Sequence, residues 1–264
     1  VLVETHDGRP TKIEGNPDHP ASLGATDRFT QASILDMYDP DRSQTVSNMG
    51  VVRTWGDFVS AMKDAVVAQG SVKGAGLRIL SETVGSPTLT EQMNLLLTQL
   101  PQARWVQYEP INRDNAHQGA RDAFGQALDT QYRLKDARVI LSLDHDFLSP
   151  GPGHVRYIRD FTDGRRVRLA EHGSHGESAT TNSSTTMSRL YVADSTPTNT
   201  GGRADHRVGL KPSQIGALAR AVAARLGVPG VSAGAAPAGV PAAWIDAVAA
   251  DLRANAGHGV VMVG

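Results

Sequence analysis

Residues 138–161, RVILSLDHDFLSPGPGHVRYIRDF, constrain this chain more than any other stretch. Val139, Ile140, Leu141 and Leu143 form an apolar run of strand length that reads as a buried strand. The run stops at Asp144-His145-Asp146, acidic residues where a parallel strand reaches its carboxyl end. A loop with Pro150-Gly151-Pro152-Gly153 follows, and then an amphipathic segment over residues 154–161. In open α/β sheets, ligands bind in the crevice beyond the carboxyl ends of the strands. The loop after this strand is therefore the first place to look for a ligand.

The pattern around it predicts more strands separated by helices. Thr54 and Asp57 form a capping box ahead of a helix whose apolar face is Trp55, Phe58, Val59, Met62 and Val66, with Gly70 placed to stop it. Residues 77–80 read as a strand. Ser86-Pro87 opens a helix with Leu89, Met93, Leu96, Leu97 and Leu100 on its core face. Residues 105–108 read as a second strand, 112–128 as a polar helix, 190–193 as a fourth strand after 139–143, and 260–263 as the last. Helices are expected over 212–226 and 241–252, joined by the small-residue linker 227–239. Strands alternating with helices of this length predict an α/β fold with one doubly wound, mostly parallel sheet.

Residues 1–14 read differently. Val1 and Val3 alternate with polar neighbours, and Asp7-Gly8 is a two-residue hairpin signal. A polar loop with Pro17 and Pro20 follows, then a short helical pattern with Phe29, Ala32, Ile34 and Leu35. The division expected is an N-terminal hairpin and extended strap over 1–50 and an α/β domain over 51–264. The Gly-, Ser- and Thr-rich stretch 163–187 has no periodicity and reads as an exposed, mobile insertion. The chain opens inside a strand pattern and closes on another, so it reads as a fragment of a longer protein.

Composition excludes some chemistry. The 26 basic and 27 acidic side chains nearly cancel, leaving no electrostatic footprint for nucleic acid. No stretch approaches the length of a membrane span. With no cysteine in its 264 residues, the chain cannot form a disulfide, a thiolate metal site or a cysteine-bound iron–sulfur cluster by itself.

Four places could carry a ligand. Glu171, His172, His175 and Glu177 have the side chains for a divalent ion, but they lie in the stretch with least predicted structure, where nothing pre-organises them. Asp144, His145 and Asp146 could act as acid and base at a crevice, or could cap the next segment and hold loop amides; the structural reading is favoured, since no nucleophile accompanies them. Ser81 opens the turn after the 77–80 strand, where a helix N-terminus could hold an anion. That turn, Ser81 to Ser86, lacks a GxGxxG fingerprint, and a simple capped turn is the alternative. Asp194-Ser195-Thr196-Pro197-Thr198-Asn199-Thr200-Gly201-Gly202 follows the fourth strand in position for ligand contact, or forms a hydroxyl-rich turn that satisfies its own backbone.

Several of these pieces, in this order, resemble the molybdopterin oxidoreductase superfamily. The segment IEGNPDHPASLG (13–24) is similar to the one that ends the family's iron–sulfur domain. DPDR (39–42) with the Trp55 helix is similar to the next landmark. LKDARVILSL (134–143) resembles the strand leading to the guanosine-side loop, and YVADSTPTNTGGRADHRVGLKPSQI (191–215) the later strand bordering the cofactor. GATDRFTQASILDMYDPDRSQ and SRLYVADSTPTNTGGRADHR especially resemble the molybdopterin-oxidoreductase-like half of the large iron–sulfur subunit of alternative complex III, often labelled a hydrogenase-type iron–sulfur protein. That complex is a bacterial quinol:electron-acceptor oxidoreductase.

The resemblance fails where cofactors would bind. Cluster-bearing relatives have a cysteine shortly after the glycine of the first segment, and Asp27 stands there. Many hold molybdenum through a cysteine after the second strand, and residues 108–115 have none. The family's Gly-Ser-Asn loop is replaced by Leu143-Asp144-His145-Asp146, its Asp-Pro-Arg by Asp194-Ser195-Thr196, and its Pro-Gly-Thr-Asp by Pro212-Ser213-Gln214-Ile215. The resemblance thus implies a Rossmann-type scaffold without pterin, molybdenum or cluster. It implies a docking role for the rest of its own chain and for neighbouring subunits. Iron–sulfur clusters would lie elsewhere in the parent chain, at the periplasmic face of a bacterial inner membrane. A catalytic bis-pterin molybdenum domain and a small-ligand-binding α/β domain are the competing expectations. Asp144 and Asp194 are expected to be held by loop amides or by arginines such as Arg203.

Overall fold

A computed structural model of the chain describes residues 1–166, 187–232 and 234–264. His172 and His175, and nearly all of the expected insertion, lie outside the described residues. In chain order the elements are β1 (Leu2–His6), β2 (Arg9–Glu14), α1 (Arg28–Ala32), β3 (Val46–Asn48), β4 (Val51–Arg53), α2 (Trp55–Gly70), β5 (Arg78–Ser81), α3 (Pro87–Gln99) and β6 (Arg104–Gln107). They continue with α4 (Asp114–Phe124), β7 (Val139–Leu143), α5 (His154–Gly164), β8 (Arg189–Asp194), β9 (His206–Gly209), α6 (Pro212–Leu226), α7 (Ala242–Ala254) and β10 (Gly259–Val263). They fall into two compact units, residues 1–35 with 114–264, and residues 36–113. The boundary expected at residue 50 lies inside the second unit.

The first unit is α/β. Its main sheet is parallel with strand order β10-β7-β8-β9. β7, β8 and β9 step outward in one direction, and β10 returns to the other flank of β7. Side chains alternate across the sheet, so successive residues of β7 enter different cores. Val139, Leu141 and Leu143 pack with Leu218 and Val222 of α6 and Ile245, Val248 and Leu252 of α7. Ile140 packs on the other face with Leu190, Val192 and Met262, and with Tyr157 and Phe161 of α5. Every residue of β7 is buried, as expected for a parallel strand covered on both sides. Gly227 closes α6 in the left-handed region at φ 78°, with the Val228 N–H donating to the Ala223 carbonyl at 3.0 Å.

The N-terminal hairpin forms as the sequence predicts. β1 and β2 pair antiparallel around Asp7 and Gly8, both at positive φ. Helix α4 stops at Phe124, not at 128, because Gly125 turns left-handed at φ 76°.

The second unit corrects the expectation of a single sheet. Among the described residues β5 and β6 pair in parallel only with each other, as a two-stranded sheet distinct from the four-stranded one. The reason is visible in the strands. RILS and RWVQ each hold two apolar residues between polar ones, whereas fully covered parallel strands are near-continuous apolar runs. The stretch before α2, expected as a strap, contains a hairpin of β3 and β4 turning at Met49-Gly50. The Thr54–Asp57 capping box is present, with the Asp57 N–H donating to Thr54 Oγ1 at 3.1 Å and the Thr54 N–H to Asp57 Oδ2 at 2.9 Å. Yet α2 and α3 bury none of their own residues, and the unit's buried residues are Gly74, Leu100 and Ala103.

Candidate functional site

The carboxyl edge of the four-stranded sheet brings together Asp144, His145, Asp146, Asp194 and Ser195. β7 ends because Asp144 adopts a left-handed conformation at φ 55°, which aspartate tolerates better than most residues. Its N–H still donates to the Ala193 carbonyl at 2.7 Å. Its Oδ1 accepts from the Ser195 N–H at 2.9 Å and from Ser195 Oγ at 3.0 Å. Two residues on, Asp146 Oδ1 accepts from the Thr200 N–H at 2.9 Å and Thr200 Oγ1 at 2.6 Å. Thr200, fully buried, in turn accepts from the Leu148 N–H at 3.1 Å. The loops after β7 and β8 are therefore zipped to each other.

Burial alone would raise the Asp146 carboxyl, but hydrogen bonds from Ser149, Thr200 and Asn199 outweigh it and hold the group below its usual range. His145 lies edge-on to Tyr132 at 5.8 Å between ring centroids, and its carbonyl accepts from Ser142 Oγ at 2.6 Å. Thr196 is exposed at the crest of the second loop.

Asp194 is 2 % exposed, at the end of β8. Its Oδ2 accepts from Thr198 Oγ1 at 2.9 Å. The arginine beside it is Arg207 of β9, not Arg203: its Nη2 lies 2.8 Å from Asp194 Oδ1. The pair is an ion contact rather than an aligned hydrogen bond, since Oδ1 has no hydrogen-bond donor in line with it. Gly201 makes this packing possible, because a Cβ there would lie 2.3 Å from Asp194 Oδ2 and 2.9 Å from Arg207 Nε. Thr200 and Gly201 lie in the hydroxyl-rich stretch that the sequence singles out after the fourth strand, whereas Arg207 of β9 was not anticipated as the partner of Asp194.

Phosphate groups bind where backbone amides are unclaimed, which is why glycine-rich loops recur at such sites. Here the Ser195 and Thr200 amides already donate to Asp144 and Asp146, and the edge presents carboxylates. At the edge next to β10 the Gly264 N–H donates to the Leu143 carbonyl at 3.0 Å, with no room for a Cβ against the Asp144 carbonyl.

Ser81 belongs to the other unit. Its Oγ donates to the Glu82 carbonyl at 2.8 Å and accepts from Trp105 Nε1 at 2.9 Å. The amides of the turn are claimed as well: Thr83 N–H donates to Glu109 Oε1 at 2.7 Å, and Val84 N–H to Gln107 Oε1 at 3.0 Å. The Thr83 amide is the main reason that the Glu109 carboxyl lies below its usual range. Ser86 caps α3 through its side chain. Two amides of the turn, those of Thr83 and Val84, are thus used within the unit.

One open groove was not anticipated. Residues 24–27 and α5 line a groove of about 400 Å³, whose walls include the apolar Val155 and Ile158 and the charged Asp27, Arg159 and Arg166. Asp27 accepts from the Phe29 N–H at 2.8 Å and the Thr30 N–H at 3.0 Å, so it serves as the N-cap of α1.

No family model matches the chain, and no curated protein matches it significantly. No cluster of three or more metal-ligating side chains occurs among the described residues. Among the same residues no helix is long and apolar enough to cross a membrane.

Proposed function

We propose that this chain is a cofactor-free, molybdopterin-oxidoreductase-like domain with a doubly wound, Rossmann-type scaffold. It docks the cluster-bearing part of its parent chain and neighbouring subunits in a membrane-associated, quinol-oxidising electron-transfer complex. The complex would work at the periplasmic face of a bacterial inner membrane. The sequence resemblance supplies the family and the setting.

The observation that carries a docking role is the unburied apolar surface of residues 36–113. Trp55 is 68 % exposed, Met62 50 % and Leu80 73 %, along a helix and a sheet that bury almost nothing of their own. Exposed apolar surface on this scale marks an interaction site. The crevice points the same way, because its amides are spent on the chain's own carboxylates. That same use of amides, with the added negative charge, weighs against the bis-pterin alternative.

The test is to purify the full-length parent with its partners, from wild type and from a Phe58→Ser, Met62→Ser variant. The expected result is loss of partner subunits from the variant, with no molybdenum or pterin in either preparation. Stoichiometric molybdenum, or pterin released on denaturation, would restore the enzyme reading. Partner subunits retained in full by the variant would remove the docking face.

A further inference from the structure

Helix α5 reaches the loop of residues 16–27 at three points. Arg156, gripped through Nε by both oxygens of the buried Asp160 at 2.9 Å, donates from Nη1 to the Pro20 carbonyl at 3.0 Å. Arg159 donates to the Leu23 carbonyl. His154 faces Asp27, with Nε2 4.0 Å from Oδ2.

The first two contacts do not depend on pH, because a guanidinium is always charged and a carbonyl never is. The third differs. His154 Nδ1 lies 2.6 Å from the Gly151 carbonyl. A carbonyl only accepts, so Nδ1 carries a proton, and in the neutral ring Nε2 has only a lone pair. That Nε2 is buried without a hydrogen-bond partner and opposes a carboxylate. The neutral ring therefore sets a lone pair against a negative charge, whereas protonation from solvent places an N–H and a positive charge there.

We propose that His154 and Asp27 form a pH-dependent latch that clamps the 16–27 loop to α5 when the imidazole is protonated. Asp27 remains ionised throughout, since the Thr30 N–H chiefly, with the Thr30 hydroxyl and Phe29 N–H, keeps its carboxyl below the usual range. The other charges on these elements have partners of their own or are exposed to solvent. On α5, Arg156 is held by Asp160, Arg159 by Leu23, and Asp163 lies 3.7 Å from Arg166. On α1, Arg28 lies over the Phe29 ring, and on the loop Asp18 and His19 are exposed. The latch gains strength when the imidazole takes up a proton and loses it when the proton leaves. Residues 24–27 are one wall of the groove against α5, so the latch sets how firmly that wall is held.

The experiment is amide hydrogen exchange on the full chain between about pH 5.5 and 8, corrected for the intrinsic rate. The reporters are the bonded amides of Leu23, Gly24 and Ala25. Their protection should rise roughly two- to fivefold from the alkaline to the acid end, the effect of a partly exposed ion pair. It should be flat in His154→Gln and in Asp27→Asn, the latter keeping the cap of α1 because asparagine caps as well as aspartate. Circular dichroism checks that each variant is folded. Should both variants unfold, the wild type decides through salt, since raising it to ~0.5 M screens a charged pair and should remove the rise. A wild type with no rise, a rise that survives both substitutions, or one indifferent to salt would overturn the latch.

Discussion

Asp251 of α7 shows how single carboxylates hold this fold together. Arg189 at the start of β8 donates to both of its oxygens, and the Tyr191 hydroxyl donates to Oδ2 at 3.1 Å. Tyr191 also stacks on His206 at 4.8 Å and meets Trp244 edge-on. Burial first, and then the nearby Asp251 charge, push the Tyr191 phenol up to about 12. The Arg189 hydrogen bond is the main cause holding the Asp251 carboxyl below its usual range. Asp205 is lowered too: burial would raise it, but Arg165, at 2.6 and 2.9 Å, prevails together with the Leu190 amide. A carboxyl lowered by folding contributes stability that is complete above its unfolded value, near 3.9, and fades as pH falls through the folded value. The melting temperature should therefore be level from neutral pH down to about 5 and fall steeply below about 4. Asp251→Asn should lose about 1–3 kcal/mol at neutral pH and show a shallower acid limb, so the two proteins converge as pH drops. Parallel acid limbs in a calorimetric series would show that Asp251 is not a source of the loss.

At the scale of elements, the helices of the two units use their apolar faces in opposite ways. Leu218 and Val248, on α6 and α7, are completely buried against β7, and Leu218→Ala should cost about 2–5 kcal/mol in urea unfolding. Met62 and Val59 on α2 have as regular an apolar spacing but remain about half exposed, so Met62→Ser should change the stability of the isolated chain by less than about 0.5 kcal/mol. A large loss at Met62 would mean that α2 is covered in solution. The contrast explains what was legible in the sequence. Local signals were sufficient for elements: the Thr54–Asp57 box, Ser86-Pro87, Asp7-Gly8 and the apolar β7 run each specify their structure within a few residues. Pairing between distant strands was not legible. Nothing in RILS or RWVQ states which strand it will join, and β9, with only Val208 as a partly buried apolar residue, gave no strand signal. The loop zip was half legible. Asp144 and Asp146 read as holders of loop amides, but Ser195 and Thr200 lie 51 and 54 residues away, beyond any local pattern.

The whole molecule divides its stability unequally, and exchange can map the division. In residues 139–143 every side chain is buried and the strand is paired on both sides, with β10 and with β8. Opening those amides requires dismantling both cores, so they should exchange only through global unfolding. In residues 36–113, α2 and α3 bury no residue, and β5 and β6 have only each other. Two-stranded sheets and uncovered helices are marginal in water, because helical stability in proteins comes mostly from packing an apolar face. The amides of α2 and β5 should therefore open locally at a small fraction of the global free energy. Native-state exchange in rising urea is the measurement. The expected pattern is β7 and β8 merging only at the global unfolding line, with α2 and β5 exchanging far faster and nearly independent of urea. Equal protection of α2 and β7 in the chain by itself would mean that residues 36–113 need no partner to be stable, and the docking proposal would lose its physical basis. Protection of α2 that appears only when the parent's other parts are present would tie that apolar face to the assembly.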